Sequence, residues 1–116
     1  MGVLLLFFLL SPTALADGSP DVSTVEGLWE LGQSLYEEGR FEEAHETFSD
    51  LAQRTHDNET RLGARYNAGN AAYRAGRLED ALAEWDRVIE QDPENETALA
   101  NSQAVQSEIA TRRQQE

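Results

Sequence analysis

Small and apolar residues recur three and four positions apart along most of the chain, which is the spacing of one face of an α-helix. The clearest example runs from Arg65 to Asn95, where two such patterns are separated by Gly76 and closed by Pro93. A single helical hairpin cannot bury both of its faces, so this one predicts neighbouring helices. Its apolar positions are Ala68, Gly69, Ala72 and Tyr73, then Leu78, Ala81, Leu82, Trp85, Val88 and Ile89.

The same spacing predicts five helices with short turns between them. Gly39 and Gly76 lie at the hairpin turns, where glycine can take the left-handed conformation that ends a helix. Asn58 or Thr60 is expected to cap the third helix, and Pro93 to end the fourth. Asn95 or Thr97 would cap the fifth. The predicted helices are Val25–Glu38, Phe41–Arg54, Thr60–Ala75, Leu78–Gln91 and Glu96–Arg113.

An internal repeat links the two hairpins. Equivalent residues are 37 positions apart, as from Gly32 to Gly69. Extending the period once more places Val105 opposite Ala68 and Ile109 opposite Ala72. The tail is therefore predicted to be a third copy of the helix that begins each hairpin. Gln106 occupies the position of the two glycines, and a bulky polar residue there predicts a solvent-facing cap. Further pairs are Tyr36/Tyr73, Gly39/Gly76, Arg40/Arg77, Glu42/Glu79, Ala44/Ala81 and Phe48/Trp85.

The composition limits the chemistry. The 116 residues include 22 acidic side chains, nine arginines and no lysine, which gives a formal net charge of -13. Such a surface repels phosphate backbones, so no nucleic-acid partner is expected. The absence of Lys and Cys excludes Schiff-base chemistry and thiolate metal sites. The acidic stretches lack the spacing of a calcium loop, so we expect solvated helix faces, no metal and no cofactor.

The N-terminal segment predicts export. Val3–Leu10 is an uninterrupted apolar run, too short to span a bilayer, and Ala14-Leu15-Ala16 forms a small-x-small cleavage site. No Lys or Arg precedes the run. We interpret residues 1–16 as a signal peptide and 17–24 as a flexible lead-in. The mature protein is expected in the periplasm or cell envelope, without stable membrane insertion after cleavage.

The repeat resembles the tetratricopeptide family. The second hairpin carries that pattern as Ala68-Gly69, Tyr73, Gly76, Ala81, Trp85, Val88 and Pro93. The first carries it as Leu31-Gly32, Tyr36, Gly39, Ala44, Phe48 and Leu51. The period exceeds the family's length of about 34, with the extra residues around Asp57–Arg61. The resemblance implies an all-α, right-handed α-solenoid: repeat 1 at 25–57, repeat 2 at 58–94, a capping helix at 95–113 and a tail at 114–116.

The resemblance also implies a concave groove built mainly from the first helix of each hairpin. Its aromatic and amide side chains suit a peptide, because amides satisfy backbone polar groups. Tyr36 and Tyr73 are interpreted as packing residues, and Gln103 and Ser107 as contributions of the cap. A carboxylate clamp is mostly missing, with Arg74 its remaining cation. The predicted partner-binding residues are Trp29, Gln33, Tyr66, Asn67, Asn70 and Arg74.

No catalytic constellation is evident. His45 and His56 have no Ser or Cys partner at a recognisable spacing, and the carboxylates are expected to be dispersed over the surface. The sequence therefore predicts a non-catalytic adaptor or scaffold that binds a protein or peptide. The order of motifs in this chain, Tyr66–Ala81 followed by Asp92–Asn95, is similar to that in the tetratricopeptide modules of envelope proteins from aerotolerance-type operons. The alternatives are a self-associating homo-oligomer that completes its short array and, third, a peptidoglycan-related hydrolase.

Overall fold

The computed structural model describes residues 14–116. Within that range the chain folds into five α-helices, each packed mainly against the next along the chain. The predicted boundaries agree with the structure to within two residues. The helices are α1 (Val25–Glu37), α2 (Phe41–Arg54), α3 (Asn58–Arg74), α4 (Leu78–Gln91) and α5 (Glu96–Gln115). The result is the expected all-α solenoid of two helical hairpins followed by a fifth helix.

Side chains cap the starts of α1, α3 and α5, with one departure from expectation. Asn95 accepts a hydrogen bond from the Ala98 amide at 3.0 Å, as predicted. The prediction for α3 was wrong: its N-cap is Asp57, whose carboxylate accepts from the Thr60 amide at 2.8 Å. The helix begins at Asn58 because the Asp57 carboxylate, one residue earlier, supplies the cap. The extra residues of the repeat therefore lengthen α3 at its start.

Two nearly identical turns close the hairpins. Gly39 and Gly76 have φ angles of 78° and 80°, the left-handed region predicted for them. After each glycine the next amide bonds back into the helix, from Arg40 to the Leu35 carbonyl and from Arg77 to that of Ala72, both at 2.9 Å. These bonds satisfy carbonyls at the helix end.

In each hairpin, a glycine of the first helix packs against an aromatic ring of the second helix. A Cβ added at Gly32 would stand 2.7 Å from Phe48 Cζ, and one at Gly69 would stand 2.6 Å from Trp85 Cδ1. Both rings are buried, and Trp85 Nε1 donates to the Tyr66 carbonyl at 3.3 Å. In each hairpin the two helices therefore approach each other through a ring packed on a backbone that carries no side chain.

The last helix completes the core on one side and faces solvent on the other. Val105 and Ile109 are buried against the second hairpin, as the repeat predicts, and Gln106 is exposed. Ser102 donates to Asp86 of α4 at 3.1 Å. The side of α5 that would receive a following helix thus presents a polar side chain.

The segment before α1 has local structure. Asp17 and Asp21 accept bonds from serines two residues later, and Arg54 Nη1 donates to the Val22 carbonyl at 3.2 Å. Most of the predicted signal peptide, residues 1–13, lies outside the described part of the chain. From residue 14 onward, none of the helices combines the length and apolar character needed to cross a bilayer.

Candidate functional site: a groove between the first helices

A groove runs along α1, α3 and α5, the first-type helices of the array. Its centre is a cavity of about 240 Å³ between α1 and α3. Gln33 comes from α1, and Asn67 and Asn70 come from α3, so the structure brings three predicted site residues together. The complete lining is Gln33, Tyr36, Glu37, Phe48, Asn67 and Asn70.

The three amides in this cavity have unused hydrogen-bonding capacity. Gln33 is exposed, and Asn67 and Asn70 are half-buried. Within residues 14–116 none of the three side chains makes a hydrogen bond. Each amide offers two N–H donors and a carbonyl acceptor. The centre of the groove can therefore bind both kinds of backbone polar group.

The groove continues toward α5 through a second cavity of about 270 Å³, which shares Tyr36 and Asn70 with the first. Arg74 lines it, with the guanidinium carbon 4.7 Å from the centre of the Phe41 ring. Phe41 in turn packs edge-on against Tyr36, with centroids 5.1 Å apart. This stack positions Arg74, and the described residues give it no carboxylate partner.

Trp29 lies at the other end of the groove. Its ring packs edge-on against Phe48, with centroids 5.6 Å apart, and remains half-buried. It lines a third cavity of about 560 Å³, together with Val25, Gly63, Thr60 and the acids Glu26, Asp57 and Glu59. Gln33 follows Trp29 by one helical turn, as Asn67 follows Gly63, so this cavity extends the line of amides.

Tyr66 and Tyr73 depart from their predicted roles. Tyr66 packs against the core cluster around Trp85, and its hydroxyl accepts from Asn101 Nδ2 at 3.5 Å. It lines none of these three cavities. Tyr73 is 42% exposed, so interpreting it as a packing residue was incomplete. It tilts over Trp85 at 6.3 Å and its hydroxyl donates to Glu108 at 3.3 Å, on the groove surface.

The contribution of α5 comes from other residues than predicted. Instead of Gln103 and Ser107, the second cavity is lined by Asn101, Ala104, Val105 and Glu108. In the repeat, Ala104 corresponds to Asn67 and Ser107 to Asn70. Asn70 lines both the cavity toward α1 and the cavity toward α5, whereas Asn67 and its equivalent Ala104 each line only the cavity shared with the preceding first-type helix. The 37-residue period could therefore have predicted that Ala104 lines this cavity.

A polar cluster inside the array was not predicted from the sequence. Glu84 of α4 is 7% exposed, which corrects the expectation of carboxylates dispersed over the surface. It accepts hydrogen bonds from Ser49 Oγ of α2 and Arg65 Nη1 of α3, each at 3.0 Å. His45 Nε2 lies 3.7 Å from the same carboxylate, and its buried Nδ1 has no hydrogen-bond partner among residues 14–116.

These contacts hold Glu84 in its charged form. Burial raises the pKa of this carboxyl, but the interactions with His45, Arg65 and Ser49 outweigh burial, so the pKa lies below its ordinary value. In a hydrolytic triad the histidine lies between the hydroxyl and the acid and contacts both. Here the acid Glu84 occupies the central place and contacts Ser49, Arg65 and His45. The cluster therefore has the arrangement of a packing contact between hairpins. Within residues 14–116, no group of three His, Asp or Glu side chains is placed to hold a metal ion.

The comparisons agree with the fold. Residues 30–96, more than half of the chain, match the sequence model of the tetratricopeptide repeat. Proteins of this kind are generally protein–protein interaction modules and typically non-catalytic adaptors. No curated protein matches the chain.

Proposed function

Since the chain belongs to the tetratricopeptide repeat family, we propose that it is a non-catalytic adaptor that binds a partner protein through an extended segment in the groove. The observation that carries this proposal is the convergence of Gln33, Asn67 and Asn70 on one cavity, with no hydrogen bond to the described part of the chain. A peptide backbone carries one donor and one acceptor per residue, and primary amides match both. Tyr36 beside them supplies apolar contact area.

The test compares capture of a partner by the wild-type chain and by the Asn67→Ala/Asn70→Ala variant. Immobilised protein is exposed to cell-envelope extract, and bound proteins are quantified by mass spectrometry. We expect at least one protein to be captured by the wild type and reduced about tenfold or more by the double variant, because each amide contributes about 0.5–1.5 kcal/mol. Gln53→Ala, on the exposed face of α2, is the control. Equal capture by the wild type, the double variant and the Gln53→Ala control would mean that the groove does not bind the captured protein.

We propose in addition that the adaptor works in the cell envelope. The apolar run Val3–Leu10 and the site Ala14-Leu15-Ala16 support export. Cleavage after Ala16 would leave Asp17 as the first residue, and the bond from Arg54 to Val22 would be retained. N-terminal sequencing of the periplasmic fraction is expected to give Asp17-Gly18-Ser19. A cytoplasmic protein that starts at Met1 would contradict export.

Self-association is the alternative for a short array. It would need a second helix to dock on α5 where the earlier hairpins have Gly32 and Gly69. Gln106 stands exposed there, and its amide would meet an incoming aromatic ring. We therefore propose that α5 caps the array. Light scattering at micromolar concentration should give a monomer, and a dimer that Gln106→Gly strengthens would favour the alternative.

A further inference from the structure

We propose that the partner segment in the groove is basic, with an arginine or lysine side chain seated against Trp29. This inference rests on the proposed function and specifies the chemistry of the partner. The residues that line the three cavities of the groove include one cation, Arg74, and five acids: Glu26, Glu37, Asp57, Glu59 and Glu108.

Three of the five acids have no partner in the described part of the chain, whereas Arg74, which also lacks a carboxylate, lies against the Phe41 ring. Glu108 pairs with Arg112 at 2.8 Å, and Asp57 caps α3. Within residues 14–116, Glu26, Glu37 and Glu59 have no ion pair or side-chain hydrogen bond, and all three are exposed. The nearby cation Arg61 is held by the Asn58 side chain and the Thr55 carbonyl. The groove thus offers free carboxylates along its length.

Glu37 is the acid that local structure explains least. Glu26 and Glu59 lie in the first turns of their helices, where a negative charge is favourable. Glu37 is the last residue of α1, where the helix dipole disfavours an acid, and the last turn of α1 holds no basic residue. An unpaired acid at this position destabilises its own helix. A cationic ligand in the cavity that Glu37 lines would remove that cost.

Trp29 adds a seat for the cation at one end. Its half-buried ring lines the largest of the three cavities, next to Glu26 and Glu59. A guanidinium or ammonium group over an indole is attracted by the ring, and neighbouring carboxylates add to that attraction. Phe48 packs edge-on against the Trp29 ring and fixes its position, so the binding site for the cation is preformed. Arg74, at the far end of the groove, orients the ligand by repelling a second cation there. The net charge of -13 attracts a basic partner to the protein as a whole, and the groove residues select where that partner binds.

Three fluorescein-labelled peptides of equal length test the inference by fluorescence anisotropy. They alternate alanine with arginine, with glutamine or with glutamate. The arginine peptide is expected to bind most tightly, and the glutamate peptide least. Glu26→Gln/Glu37→Gln should weaken binding of the arginine peptide about three- to tenfold, because two favourable charge contacts are lost. Trp29→Phe, which keeps a ring against Phe48, should weaken it about twofold.

The matched control is Glu90→Gln/Glu94→Gln, which removes the same charge from exposed positions outside the groove. It should weaken binding less than twofold. An equal loss in the control and groove variants would overturn the inference, since attraction would then come from net charge alone. Absence of binding by all three peptides would also overturn it.

The peptides also separate the inference from the proposed function. Tighter binding of the glutamine or glutamate peptide, abolished by Asn67→Ala/Asn70→Ala, would overturn the basic partner and leave the groove function standing. Binding of the arginine peptide that depends on Glu37 but not on the amides would support the charge selection and weaken the case for backbone recognition. No peptide binding, combined with envelope capture that Asn67→Ala/Asn70→Ala leaves unchanged, would remove both.

Discussion

Arg65 of α3 donates to Glu84 of α4 across 3.0 Å inside the array, where their side chains are 12% and 10% exposed. Ser49 and His45 of α2 approach the same carboxylate, so one buried acid contacts both hairpins. A buried charge whose partner is removed is strongly destabilising, although the intact pair adds little to stability. This relationship makes the junction between the hairpins sensitive to single substitutions.

Arg65→Met should lower the free energy of unfolding by about 3 kcal/mol, because Glu84 would remain buried with only Ser49 and His45 to stabilise its charge. Urea denaturation followed by circular dichroism measures the change. Arg40→Met removes a pair with Glu43 whose side chains are 52% and 54% exposed, and should cost less than about 1 kcal/mol. Similar losses in the two variants would mean that the Glu84 cluster is not buried in solution.

Stability should fall in acid partly because of Glu84. Its pKa is lower in the folded protein than in the unfolded chain, so the folded state binds fewer protons in the range between the two values. The contribution is complete above the unfolded value of about 4.3 and is lost as the pH falls through the lower, folded value. Thermal unfolding measured across this range should show a shallower pH dependence for Glu84→Gln than for the wild type. Parallel curves would assign the acid sensitivity to other carboxylates, such as Asp57, whose pKa is also lowered by bonds from Thr60.

Gly69→Ala should destabilise the protein by about 1–3 kcal/mol, because its Cβ would overlap the Trp85 ring. The sign of this stability change is diagnostic, because replacing glycine by alanine inside a helix ordinarily stabilises the protein by about 1 kcal/mol. Gly63→Ala in the same helix is the control. Its Cβ would stand 3.2 Å from Trp29 Cη2, a smaller conflict, and the change should stay within about 1 kcal/mol. Chemical denaturation of both variants compares them, and a stabilising Gly69→Ala would refute the ring-over-glycine contact.

Trp85→Ala should cost roughly 3–5 kcal/mol, since the ring is 3% exposed and fills the space above Gly69. Trp29→Ala should cost less, because that ring is half-buried and lines an open cavity. Urea midpoints of the two variants give the ranking. A larger loss at Trp29 would show that the first hairpin, not the second, limits stability.

The helices and their order follow from local pattern. Apolar spacing, Gly39 and Gly76 at the turns and Pro93 after α4 predicted five helices whose ends agree with the structure to two residues. These signals act within a few positions of the chain, so they can be recognised without knowledge of the neighbours. The repeat then predicted burial of Val105 and Ile109, because equivalent positions of stacked hairpins meet equivalent surroundings.

The sequence by itself determined the fold class, the repeat and the cluster of Gln33, Asn67 and Asn70. Only the tertiary structure decided that Tyr66 packs inward and that Tyr73 remains exposed at the groove. It also showed that Glu84, which looks like any other acid on an amphipathic helix, is buried. The physical reason is that exposure of a polar or aromatic side chain depends on what the adjacent helix presents. That information comes from residues about 20 to 35 positions away, such as Arg65 for Glu84 and Asn101 for Tyr66.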